Sequence, residues 1–162
     1  MRRLLLFAVV ALLAACSTID CPVQNKVALN FAVKKYNSSG VEVTDTLKDT
    51  LYVWVQRMNG TDTLILNRAI GKTSFSLPLS YTQPEDALIF GVDASDGSGG
   101  VLDTVWIKKE DIPHFESVDC SAHYFHVLTS VRSTHLAIDT VILKNPSVTY
   151  DPSADNIHIH FK

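Results

Sequence analysis

The chain has 162 residues, 46% of them hydrophobic, and a formal net charge of −3 at pH 7. That length suits one domain with a substantial core. With 14 basic against 17 acidic side chains, it lacks the concentrated Lys and Arg that nucleic acid or an anionic lipid surface demands, and so excludes both as charge-driven partners.

Residues 1–15 read as a leader. Arg2 and Arg3 form a positive n-region, Leu4 to Leu13 is almost wholly apolar, and Leu13-Ala14-Ala15-Cys16 sets two small residues before a cysteine. This is the bacterial lipobox arrangement. At about 1.5 Å rise per residue the apolar run is too short to span a hydrocarbon core of about 30 Å. The expectation is therefore cleavage before Cys16 and linkage of its thiol to diacylglycerol, with acyl chains such as palmitate holding the protein to a membrane. Residues 16–22 become a short tether and 23–162 the single domain. Without Arg2 and Arg3 the remaining 147 residues carry 12 basic and 17 acidic side chains, a net charge of −5. Cys21 and Cys120 are then an even pair in an oxidising setting. A disulfide between them would close a loop of roughly 100 residues and contribute at most about 4–5 kcal/mol; two free buried thiols or metal ligation are the alternatives.

From Lys26 onward the pattern is strand after strand, with no helical period. Strands are expected at Lys26–Tyr36, Leu51–Arg57, Leu64–Asn67, Thr73–Leu79, Ala87–Asp93, Val101–Lys108, Ala122–Val131, Leu136–Leu143 and Ile157–Phe161. Turn chemistry separates them, as at Asn37-Ser38-Ser39-Gly40, Gln83-Pro84, Ser95 to Gly100, Asn145-Pro146 and Asp151-Pro152. Many short strands without intervening helices predict an all-β fold, a single antiparallel β-sandwich of immunoglobulin- or transthyretin-like shape. The basic pairs Lys34-Lys35 and Lys108-Lys109 read as solvated faces.

The triplet Asp-Thr-(Leu/Val) occurs five times, with its threonines at Thr46, Thr50, Thr63, Thr104 and Thr140, where thirteen Asp and thirteen Thr give about one Asp-Thr pair by chance. One explanation is structural, with Asp closing a turn and Thr opening a strand. The other is that the triplet resembles the O-glycosylation acceptor of exported Bacteroidetes proteins.

The back half contains Pro113-His114-Phe115-Glu116-Ser117-Val118-Asp119-Cys120, Tyr124-Phe125-His126, Ile138 to Pro146, Tyr150-Asp151 and Asn156 to Phe161. Together these resemble a family of uncharacterised Bacteroidetes lipoproteins of unknown function, over roughly residues 20–162 and most specifically from Pro113 onward. The resemblance implies a lipid-anchored, all-β exported domain with Cys21 paired to Cys120, and it transfers no catalytic residue. In such bacteria a Ser followed by several acidic residues after the lipidated Cys resembles a surface-export signal. Here Ser17-Thr18-Ile19-Asp20 has one acidic residue, which favours the periplasmic side of the outer membrane over the cell surface.

Three constellations could carry chemistry. His158 and His160 share a strand face, where a third ligand would complete a metal site; a solvated polar face is the plainer alternative. His123 and His126 fall on opposite faces of a regular strand. Tyr52, Trp54 and Trp106 alternate with core-type aliphatics; if those face the core, the flat rings lie outside, suited to sugar stacking or a protein anchor, while burial of both sheet faces or rings capping the core's edge is the plainer alternative. Asp93 to Gly100 fails the EF-hand spacing, and no nucleophile elbow, zincin motif or phosphate loop is present. The expected role is non-catalytic and cofactor-free: a binding or assembly module whose partner is an envelope protein or glycan, with carbohydrate binding and metal binding as the alternatives.

Overall fold

The computed structural model describes residues 26–57, 60–117 and 120–162. The leader, Cys16, the tether and Cys21 lie outside the described residues. The described chain is all-β, with eleven strands in two curled sheets. In chain order they are β1 (Leu29–Tyr36), β2 (Glu42–Thr44), β3 (Thr50–Gln56), β4 (Asp62–Ala69), β5 (Ser74–Leu77), β6 (Glu85–Asp93), β7 (Gly100–His114), β8 (His123–Ser133), β9 (Ile138–Leu143), β10 (Ser147–Val148) and β11 (Ile157–Phe161).

The larger sheet runs β10-β8-β7-β6-β3-β4 and is antiparallel throughout. The smaller runs β2-β1-β11-β9, with β5 sharing an edge of β1 with β2. One pairing departs from the antiparallel expectation: β1 lies parallel to β11, with Phe31 opposite Ile157 and Val33 opposite Ile159.

Period-2 patterning decides what the sheets bury. Leu51 and Val53 of β3, Leu88 and Phe90 of β6, and Val105 and Ile107 of β7 face inward and are fully or almost fully buried. They meet Leu29, Phe31, Ile157 and Ile159 of the smaller sheet. Phe31 joins the layers, stacking on Phe75 at 4.9 Å between centroids and meeting Phe90 of the other sheet edge-on at 5.9 Å. Burying each such side chain stabilises the fold by about 1.5–3 kcal/mol.

The 94–99 loop is a tight β6–β7 hairpin. Asp93 pairs with Gly100, the Ala94 N–H donates to the Gly99 carbonyl at 3.0 Å, and Gly97 and Gly99 supply positive φ. At the other end of β7 the strand runs six residues past the expected Lys108, to His114. A bulge there leaves Thr129 of β8 without an opposite residue, since Lys108 pairs with Ser130 and Lys109 with Leu128. This extra residue turns Leu128 and His126 inward, and both are buried.

Candidate functional site

The β6, β7 and β8 alternation that builds the core continues past its last aliphatic residue into charge. Inward positions pass from Leu88 to Asp86 on β6, from Ile107 to Lys109 and Asp111 on β7, and from Leu128 to His126 on β8. The Lys108-Lys109 pair is thus not a solvated face. Lys108 is exposed, but the Lys109 side chain is wholly buried, because strand parity sends it into the sandwich.

Lys109 Nζ donates to Asp111 Oδ1 at 2.9 Å and to the Gln83 carbonyl at 2.9 Å, with Asp86 Oδ2 3.9 Å away. Asp86, itself fully buried, accepts the Ser80 N–H at 3.0 Å and Gln83 Nε2 at 2.7 Å. These bonds pin the 80–84 turn over the end of the sandwich, so that Tyr81 stacks on Tyr124 of β8 at 4.6 Å and 5° between planes. His126 Nδ1 donates to Asp111 Oδ1 at 2.6 Å. Burial holds the imidazole below its ordinary value despite the neighbouring Asp111 carboxylate, which leaves the ring neutral at pH 7.

Beside this network opens an end cleft of about 690 Å³, with Val27, Leu77, Leu79, Tyr81 and Tyr124 as apolar wall and His126 in the lining. A few polar groups set in an apolar concavity of this size make the usual architecture of a small-molecule site. The sequence signal for it was the period-2 continuation through Lys109, Asp111 and His126; the charged run and Pro113 masked it.

His158 and His160 depart from the solvated alternative. Both are buried, and a third side chain does arrive: Glu42 of β2 reaches across β1 to accept His158 Nδ1 at 2.7 Å and His160 Nε2 at 2.9 Å. Burial would raise the Glu42 pKa, but hydrogen bonds from His160 and His158, and the charge on His158 and Lys144, outweigh it and hold the carboxyl below its ordinary value. Tyr36 stacks on the His160 ring at 4.8 Å. Among the described residues no group of three such side chains is arranged to hold a metal ion. The cluster is a hydrogen-bonded clamp across three strands.

Tyr52, Trp54 and Trp106 lie half-buried on the outer face of the larger sheet. Tyr52 and Trp54 stack at 5.8 Å and 19°, and Trp54 leans over Gly91, where a Cβ would stand 2.7 Å from its Cζ3. A hollow of about 330 Å³ adjoins them, edged by Asp93 and Leu102. Trp106 does not join that platform, because the Arg132 guanidinium covers its ring at 4.1 Å from the centroid.

His123 meets Tyr150 edge-on at 5.7 Å, alongside Phe125 and His114, and shares the lining of the end cleft with His126. Burial, then the Glu116 carboxylate, raises the Tyr150 phenol above its ordinary value. Of the five triplet threonines, Thr46 is exposed and Thr50, Thr63, Thr104 and Thr140 are half-buried. Thr50 opens β3 and Asp62 opens β4, as the structural explanation has it. Asp103 instead sits inside β7, facing inward. Cys120 is disulfide-bonded, to a partner outside the described residues.

A family model, that of a family of unknown function (DUF6452), matches residues 50–161. The chain belongs to that family. The matched span starts with the first residue of β3 and ends with the last of β11, so it takes in Asp86, Lys109, Asp111 and His126. No curated protein matches the chain, and neither does any solved structure.

Proposed function

We propose that this chain is a non-catalytic binding module of the bacterial envelope, held by acyl chains on Cys16 at the periplasmic side of the outer membrane, with the end cleft as its ligand site. The cleft carries the reading: it is apolar, of ligand size, and braced by buried charges whose bonds hold its turn in place. Cleft and anchor are close along the chain. Lys26 edges the cleft ten residues after Cys16, a reach of at most about 35 Å when fully extended. With Cys21 as the partner of Cys120, the tether shortens to five residues.

Native mass spectrometry of the full-length protein extracted from its own envelopes tests this. The expected result is a non-covalent small-molecule adduct that the Ala28→Phe variant, which sets a ring into the cleft, does not carry. No adduct, or the same adduct in both, overturns the proposal.

The stacked Tyr52–Trp54 pair beside its hollow favours a second reading, a carbohydrate-binding accessory lipoprotein, in which Asp93 accepts sugar hydroxyls beside the two rings. Glycan retention that vanishes in Trp54→Ala supports it, and unchanged retention removes it.

A further inference from the structure

The ligand class of the end cleft can be read from what its polar groups have left to offer; this step rests on the cleft being the ligand site. Lys109 is fully engaged by Asp111, the Gln83 carbonyl and the nearby Asp86, and presents no free charge. Asp111 accepts from both Lys109 and His126. The carboxylate cannot donate, so His126 Nδ1 carries the proton and Nε2 keeps a lone pair. The His126 side chain is only 4% exposed, yet Nε2 meets no partner among the described residues while the ring lines the cleft. Nε2 is not sealed in, since among the described residues Tyr150 Oη is the buried side-chain atom without a partner; Nε2 opens onto the cleft, where a ligand donor can take the place of water.

The walls supply the other half of the argument. Val27, Ala28, Leu77, Leu79, Tyr81 and Tyr124 give the lining most of its carbon, with Lys26, Ser76 and His123 at its polar positions. Asp86 and Asp111 against Lys109 leave the bracing network one negative charge in excess, and Lys26 at the cleft edge offsets it, so the site holds no net charge to pair with an ion. We propose that the end cleft binds an uncharged, apolar molecule that donates one hydroxyl or N–H to His126 Nε2.

Two probes of nearly the same shape separate the terms: 1-naphthol, which has a donor, and 1-methoxynaphthalene, which has none. Titrated calorimetrically into the full chain at pH 7.5, the naphthol is expected to bind about tenfold more tightly, the worth of one well-made buried hydrogen bond. In His126→Phe that preference should vanish while the ether binds as before. In wild-type protein labelled with 15N-histidine, the naphthol should shift the Nε2 resonance and the ether should not, a readout that survives if the variant fails to fold. Equal binding of the two probes, an unmoved Nε2 signal, or a preference that persists in His126→Phe overturns the assignment while leaving the cleft as a ligand site. Binding of neither probe overturns the cleft itself.

Discussion

Asp103 is the residue on which most backbone groups converge. Its carboxylate accepts the Leu136 N–H at 3.0 Å, the Ala137 N–H at 2.6 Å and the Ile138 N–H at 2.7 Å, and also the Thr134 hydroxyl. Burial pushes its pKa up, but these donors overrule burial and hold it below the ordinary carboxylate range. The side chain thereby fastens the β8–β9 connection, which carries the chain from the larger sheet to the smaller. Asp103→Ala orphans the buried Ile138 N–H and the partly buried N–H groups of Leu136 and Ala137, and is expected to cost about 2–4 kcal/mol in urea unfolding; a loss under about 0.5 kcal/mol, the range of an ordinary surface change, would contradict the role. From sequence, Asp103 was one of five similar triplets. Nothing in Asp-Thr-Val distinguishes a carboxylate that closes a turn from one facing a loop 31 residues away, because the difference lies in strand parity and in which loop folds over it.

Among the elements, β1, β2 and β11 are joined on their outer face by Glu42, His158 and His160, and acid should loosen that join. The Glu42 carboxyl is depressed in the folded state. Its contribution is therefore fully present above its unfolded pKa of about 4.3 and is lost as pH falls through the lower folded value. His126 is depressed too, so the unfolded chain takes up its proton first, and stability falls as pH drops below about 6.5 towards the folded value. Urea midpoints between pH 3 and 7.5 should decline in both windows. Glu42→Gln should flatten the lower window and His126→Phe the upper; a variant curve parallel to wild type would refute its assignment.

Most of this architecture was legible as period-2 alternation, and Ile157–Phe161 matches β11 residue for residue. What was not legible has physical causes. β2 is three residues and β10 two, too short to show a period and made strands only by their neighbours. The far half of β7 is polar because it lines the end of the sandwich, where buried Lys109 is matched by Asp111 and Asp86. His158 and His160 looked solvated because Glu42, 116 and 118 residues earlier in the chain, is invisible to local pattern.

At the scale of the whole molecule, placement is the testable matter. With the lipid on Cys16, Cys16→Ser should move the protein from the membrane pellet to the soluble fraction of the envelope, scored by immunoblot after ultracentrifugation; retention in the pellet would refute acyl anchoring. The same material, digested without reductant, should yield a peptide pair joining Cys21 to Cys120, and an alkylatable Cys21 would refute that partner. Such a bridge would limit how far the sandwich can swing from the bilayer, keeping the cleft edge at Lys26 and Ala122 on the membrane-facing side.

The parallel seam between β1 and β11 sets the order in which this polypeptide can mature. Phe31 must find Ile157, 126 positions further along, so one side of β1 stays bare until the five residues of β11 have been made. Such distant closure is slow. Every strand of the larger sheet precedes β11 in the chain, so that sheet has all its parts before the smaller one can close.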